Sequence, residues 1–227
     1  VGDPINAVKI FNEKLVDELI VIDIDASKEK REPDYKMIEN LATECRMPFC
    51  YGGGITTLEQ AVRISNLGVE KIALSSAAIE NPQLISQIAA AIGRQSVVVV
   101  FDVRKTLFGN YEVYLYNGSK KVKGDLVSLV LEAERLGAGE IVINSIDNDG
   151  KMSGYDQKLI RLVRNAVNIP LTVLGGAGSL DDVKQVIDEH KIIGVAAGSL
   201  FVFKGVYKAV LINYPSLDEK KALTKRG

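Results

Sequence analysis

The sequence predicts an α/β fold, a closed parallel barrel of eight βα units, (βα)8, built from two half-barrel repeats. Three observations predict it. Short Val/Ile-rich runs alternate with amphipathic helical segments along the chain, the pattern that repeated βα units impose on a parallel sheet. Long stretches of the first half can be laid on the second without gaps, which favours a closed barrel of two halves over an open doubly wound sheet. Glycine-rich turns recur where strands run into helices, the face on which such barrels carry their chemistry.

The elements follow in order. Asp3-Pro4 and then Ile5, Ala7, Val8, Phe11 and Leu15 read as a helix start and a helix, because Pro is favoured in the first turn and these apolar residues share one face. Buried strands are expected at residues 18–25, 48–52, 71–75, 96–102, 140–145, 170–175 and 192–197. A barrel of this type opens with a strand, so residues 18–25 count as the second strand. The first is expected to be missing, and residues 1–227 to form one barrel domain without it. Leu58, Ala61, Val62, Ile64 and Leu67 have helical spacing, as do Leu126, Leu129, Val130, Ala133 and Leu136.

Residues 51–78 align with 174–201: Gly52, Gly53, Ile64, Ala73 and Ser76 meet Gly175, Gly176, Ile187, Ala196 and Ser199. Residues 18–25 (ELIVIDID) likewise match 140–147 (EIVINSID). Residues 103–124 interrupt the plan. Tyr111, Val113 and Leu115 alternate with Glu112, Tyr114 and Tyr116 before Asn117-Gly118, which predicts a hairpin insertion on the catalytic face.

Composition narrows the function classes. The chain has 227 residues, 47% hydrophobic and 25% charged, ordinary for a globular protein with one sizeable core. Its 28 basic and 29 acidic residues nearly cancel and are scattered, so no footprint for nucleic acid or an anionic membrane stands out. No apolar run approaches the length of a membrane span and the amino terminus is polar, which places the protein in the cytoplasm. Cys45 and Cys50 have no His or Cys cluster near them to complete a metal site and are expected to be buried free thiols; no metal or organic cofactor is implied.

The turns Gly52-Gly53-Gly54 and Gly175-Gly176-Ala177-Gly178 let backbone N–H groups close on an anion. Each is followed by a strand ending in small hydroxyl residues, Ser75-Ser76 and Gly198-Ser199. Two cups of this kind suggest two phosphates, although serines there also cap helices.

Acidic residues gather at strand ends: Asp23, Asp25, Asp102, Asp147 and Asp149. Asp102 leads as a general acid or base because it ends the apolar run 97–101, where a hydrophobic floor raises a carboxyl pKa. Asp147 and Asp149 fit loop or ligand-positioning roles, and any single Asp at a strand end is also a common turn former. The lone histidine, His190, sits on a helix and is expected at the surface. Glu18, Lys71 and Glu140 precede alternate strands, either as a ring of charges or as three solvated strand starts.

The segments GDPINAVKIFNEKLVDELIVIDIDAS, PFCYGGGI, VVVVFDVRK, EIVINSIDNDGKMSGYD, GGAGS and AAGSLF together resemble the cyclase subunit of imidazole glycerol phosphate synthase over nearly the whole chain. The resemblance implies a barrel that uses ammonia to split a bis-phosphorylated ribulosyl substrate into imidazole glycerol phosphate and aminoimidazole carboxamide ribonucleotide. Position by position, Asp102 matches the catalytic acid or base, and Asp23, Asp149 and Ser145 match residues lining the mouth. Gly54, Ser75 and Ser76 match one phosphate site; Gly150, Gly176, Gly198 and Ser199 match the other. Glu18, Lys71 and Glu140 match members of a charged ammonia gate facing a glutaminase subunit, the partner in a heterodimer.

Two features depart from that family. Its other catalytic aspartate and a gate arginine lie on the first strand, and Ser75 stands where the family usually has Asn. The stretches ECRMPFCYGGGI and AAGSLFVFKGVYKAVLINYP look closer to a divergent branch associated with surface polysaccharides. That branch is thought to pass ammonia to a separate enzyme making acetamidino sugars.

Overall fold

A computed structural model describes residues 2–205 and 207–224. Asp3 caps the opening helix α1 (Pro4–Glu13) by accepting from the amides of Ile5 and Asn6, and the chain then enters β1 (Leu19–Ile22). Next come α2 (Ala26–Glu29), α3 (Tyr35–Glu44), β2 (Phe49–Gly52), α4 (Leu58–Asn66), β3 (Lys71–Leu74), α5 (Ser76–Glu80) and α6 (Gln83–Ile92). The second half holds β4 (Val97–Lys105), β5 (Tyr111–Leu115), β6 (Lys120–Lys121), α7 (Leu126–Leu136), β7 (Glu140–Ser145), α8 (Gln157–Ala166), β8 (Leu171–Leu174), α9 (Leu180–His190) and β9 (Gly194–Val195).

The strands β1-β2-β3-β4-β7-β8-β9 pair in that order and in parallel. They form a curled α/β sheet of half-barrel form whose outer edges, β1 and β9, are not paired to each other among the described residues. The strand run expected at 192–197 shortens to two residues, whereas that expected at 96–102 extends to Lys105 and continues into an antiparallel β4-β5-β6 hairpin.

Alternation along each strand sorts the side chains into two layers. Phe49, Tyr51, Ile72, Leu74, Val97, Val99, Phe101, Ile141, Ile143, Leu171 and Val173 face the helices and form the large core with them. Cys50, Ala73, Val98, Val100 and Val142 face inward, with Ile20 and Leu174 packed against them. A cavity of about 590 Å³ is lined from the sheet by Ile20, Ala73, Val98, Val100, Val142 and Leu174. Through the slit between β1 and β9 it reaches Phe11, Val183 and Leu223 of the flanking helices.

The helices start where the sequence provides caps. Asp34, Thr57, Asp125, Asp156 and Ser179 each accept from amides of the first turn, satisfying donors that have no partner inside the helix. After β9 the chain adds α10 (Ser199–Val202), a small pair β10 (Phe203–Lys204) and β11 (Ala209–Val210), and α11 (Leu217–Thr224). Lys220 on α11 reaches the Asp17 carboxylate at 2.7 Å and the Leu15 carbonyl at 3.1 Å. Tyr214 donates to the other oxygen of Asp17 at 2.8 Å. Among the described residues no helix is long and apolar enough to cross a membrane.

Candidate active site

Asp102 lies on β4 two residues beyond Val100, on the same inward face, so the polar mouth begins where the apolar lining ends. In register beside it on β7 stands Asn144, whose Nδ2 donates to Asp102 Oδ1 at 2.9 Å. Burial pushes the Asp102 carboxyl above its ordinary value; the Asn144 hydrogen bond opposes that rise and the nearby charge of Asp149 adds to it. A carboxyl whose pKa is raised holds its proton more firmly and serves more readily as an acid as well as a base. Strand parity puts Asn144, not the expected Ser145, on the inward face with Val142; Ser145 shares the outer parity of Ile141 and Ile143 and is buried.

The first cup forms where β2 and β3 end. Gly53 has φ +118°, and a Cβ on it would lie 2.5 Å from the Asp23 carbonyl oxygen, so this turn needs glycine to pass the end of β1. Gly54 follows with φ +72° and its amide donates to Ser27 Oγ at 3.4 Å, a hydroxyl that sequence reasoning missed. Ser75 precedes α5 and Ser76 opens it; Ser76 is buried and its Oγ accepts from the Tyr116 amide at 3.1 Å. The turn of the β5-β6 hairpin therefore folds down onto this cup. Asp23, at its edge, accepts from the amides of Asp25 and Ala26 and pairs with Arg31 at 3.3 Å.

The second cup gathers three loops. Gly176 has φ +125° and a Cβ there would collide with the Gly154 carbonyl, whose own amide donates to Gly176 O at 2.8 Å. Gly150 sits opposite Ser199, since a Cβ built on it would lie 4.0 Å from Ser199 Oγ. Gly198 has open space above its α-carbon. The structure thus brings Gly150, Gly176, Gly198 and Ser199 around β7, β8 and β9, as it brings Gly54, Ser75 and Ser76 around β2 and β3. Asp149 lies near enough for its charge to act on Asp102, and its amide donates to Ser145 O at 2.9 Å. Asp147 instead anchors the hairpin, accepting from the Lys105 amide at 2.9 Å and facing Arg104 Nε at 3.6 Å.

At the opposite end of the sheet the three scattered charges form one network. Lys71 Nζ lies 2.8 Å from both Glu18 Oε1 and Glu140 Oε2, and Thr172 Oγ1 donates to the other Glu140 oxygen at 2.6 Å. Gly194 makes room for Thr172, whose hydroxyl occupies the place of a Cβ. Burial alone would lower the Lys71 pKa, but its two carboxylate partners outweigh it and hold the ammonium well above its usual value. Cys50 sits just above, fully buried, and burial pushes its thiol far up.

Two expectations need correction. His190 is not at the surface: its side chain is 7% exposed, at the end of α9 beside Glu189, and burial lowers its pKa. Cys45 is a free thiol but only half-buried. Among the described residues no group of three or more His, Cys, Asp or Glu side chains could hold a metal ion.

A curled parallel sheet with polar groups at the carboxyl ends of its strands and a charged network at the other defines a barrel-type α/β protein with an enzyme-like mouth. Residues 1–208 match the model of the histidine biosynthesis protein family, and the chain belongs to that family. It is 59% identical to a Vibrio vulnificus protein named, provisionally, imidazole glycerol phosphate synthase subunit hisF3, over 97% of this chain and 85% of that one. It is also 59% identical to a Leptospira borgpetersenii protein with the corresponding provisional HisF name, over 98% of this chain and 88% of the relative. The imidazole glycerol phosphate synthase subunit HisF of Streptococcus sanguinis is 39% identical over the whole of this chain and 87% of its own length.

Proposed function

We propose that this chain is the cyclase subunit of imidazole glycerol phosphate synthase, the ammonia-using step of histidine biosynthesis. The observation that carries the proposal is the position of Asp102, half-shielded at the mouth of an apolar interior, hydrogen-bonded to Asn144 and flanked by two glycine-and-serine cups. Cups at fixed separation hold the two phosphates of an extended ribulosyl substrate, which places its reacting centre over Asp102. Asp102 then takes and returns protons as ammonia nitrogen enters, the imidazole ring closes and the bond to the carboxamide ribonucleotide breaks.

Ammonia is delivered from a glutaminase subunit docked at the end of the sheet that carries Glu18, Lys71 and Glu140, and crosses the apolar interior between Val98, Val100 and Val142. The two subunits form a heterodimer. A second reading, delivery of ammonia to a separate enzyme with little cyclisation, is favoured by Ser75 standing where the cyclases usually carry Asn.

The test combines the protein, an ammonium salt and the bis-phosphorylated ribulosyl substrate, and follows substrate loss by absorbance with no glutaminase present. Turnover supports the cyclase. Tight binding of a glutaminase without any turnover points instead to ammonia delivery.

A further inference from the structure

Asn144 has one feature that the Asp102 hydrogen bond does not explain. Its Oδ1 is buried and has no hydrogen-bond partner among the described residues. Such an orphan acceptor is destabilising, and an apolar residue of the same shape would avoid it. Space is nevertheless kept beside this atom, because Gly175 lacks the Cβ that would sit 2.9 Å from it. A carboxamide is nearly symmetric in shape but carries a donor on one arm and an acceptor on the other. Rotation by half a turn about its last torsion exchanges them without moving the rest of the side chain.

That exchange matches the needs of the neighbouring carboxyl. Ionised, Asp102 is an acceptor only and requires the Asn144 Nδ2 that it has. Protonated, its O–H becomes a donor and requires an acceptor, which the Asn144 Oδ1 supplies after the half turn. We infer that Asn144 is a positioning residue that holds Asp102 in one orientation through both of its protonation states by flipping its amide, the unpartnered oxygen being the arm that serves the acid form. The inference rests on the reading of Asp102 as the group that shuttles protons. Other charged or titratable groups face the pair. Asp149 projects from the loop after β7, Tyr114 stands opposite Asp102 in register on β5, and Arg104 further along β4 lies over the Tyr114 ring and near Asp147.

The test is NMR on the whole protein, following the Asp102 carboxyl carbon and the Asn144 side-chain amide across pH. In the unmodified protein the Asn144 amide resonances should move with the same midpoint as Asp102, and the scalar coupling across the Nδ2–H···Oδ1 hydrogen bond should vanish in the acid form; an amide that keeps this coupling at low pH, or is indifferent to the titration, overturns the inference without any variant. Asn144→Leu, which removes both arms, should move the Asp102 midpoint up and lower kcat on the order of 100-fold at unchanged KM. Asn144→Thr, whose hydroxyl both donates and accepts, should restore most of the rate and return the midpoint toward its original position. An unmoved midpoint and pH–rate profile in Asn144→Leu would likewise overturn it. If the coupling is lost in the acid form but the unmodified protein never turns over the ribulosyl substrate, the amide flip stands and the cyclase reading falls.

Discussion

At the scale of the residue, the decisive quantity is the cost of ionising Asp102. Its pKa is raised in the folded protein, first by burial, so the native state holds the proton more tightly than the unfolded chain does. The corresponding stabilisation is fully present below the ordinary value of 3.8 and is lost as pH rises through the folded value. Asp102→Asn should therefore abolish ammonia-dependent turnover while leaving substrate binding intact, and should raise the melting temperature at neutral pH, with the gain vanishing below pH 3.8. Unchanged turnover would remove Asp102 from the mechanism; an equal melting shift at both pH values would deny the burial penalty. Asp102 was legible in the sequence because it ends an unbroken apolar run. Asn144 was not, since one residue of register decides whether Asn144 or Ser145 faces inward, and the stretch 144–149, apolar only at Ile146, carries no alternation from which to read it.

At the scale of the element, strand starts and glycine turns do different work from the same backbone. Lys71 and Glu140 open β3 and β7 and Glu18 immediately precedes β1, and sequence alone left open whether they meet. They meet because parallel pairing brings the amino ends of these strands to one rim and parity turns all three inward. Removing one partner of a fully buried ion pair costs about 3–5 kcal/mol. The Lys71 and Glu18 side chains are 25% and 35% exposed, so water screens part of the interaction and Lys71→Met should cost about 2 kcal/mol in urea unfolding. Glu18→Gln, at the wetter end, should cost less than about 1 kcal/mol. Because the Lys71 pKa is raised, its contribution is complete below the ordinary lysine value and fades only as pH climbs through the folded one, so the loss should be constant across neutral pH.

The glycine turns show the other use. Gly53→Ala places a Cβ against the Asp23 backbone at φ +118°, and strain of this kind costs on the order of 1–3 kcal/mol. Unfolding of the variant should show at least that loss, together with weaker phosphate binding measured by calorimetry. A stable variant with unaltered phosphate affinity would separate this turn from the cup. Sequence could place these glycines at strand ends and a hairpin on the same face, but not the contact of its turn with Ser76, because Tyr116 and Ser76 lie forty positions apart.

At the scale of the whole molecule, the two halves repeat in physics as well as in letters. Glu18 and Glu140 clasp one lysine, and a Cβ on Gly53 or Gly175 would press on the carbonyl of Asp23, just after β1, or of Ser145, at the end of β7. Thr57 and Ser179 each open the next helix with a capping box. What the repeat could not reveal is the tail after β9, where α11 clamps Asp17 through Lys220 with no counterpart in the first half. The inner layer lines the interior, and Ala73 is its apolar member from β3. Ala73→Leu would fill part of the 590 Å³ cavity, at an overpacking cost of about 1–3 kcal/mol, while Asp102 and the serines of both cups keep their identity. If ammonia travels through this interior, turnover driven by glutamine and the glutaminase partner should fall about tenfold or more, as a steric block of roughly 1.4 kcal/mol requires. Turnover driven by ammonium salt, which enters at the open mouth, should change little. A variant that slows both equally has distorted the mouth, and one that slows neither shows that ammonia reaches Asp102 by another path.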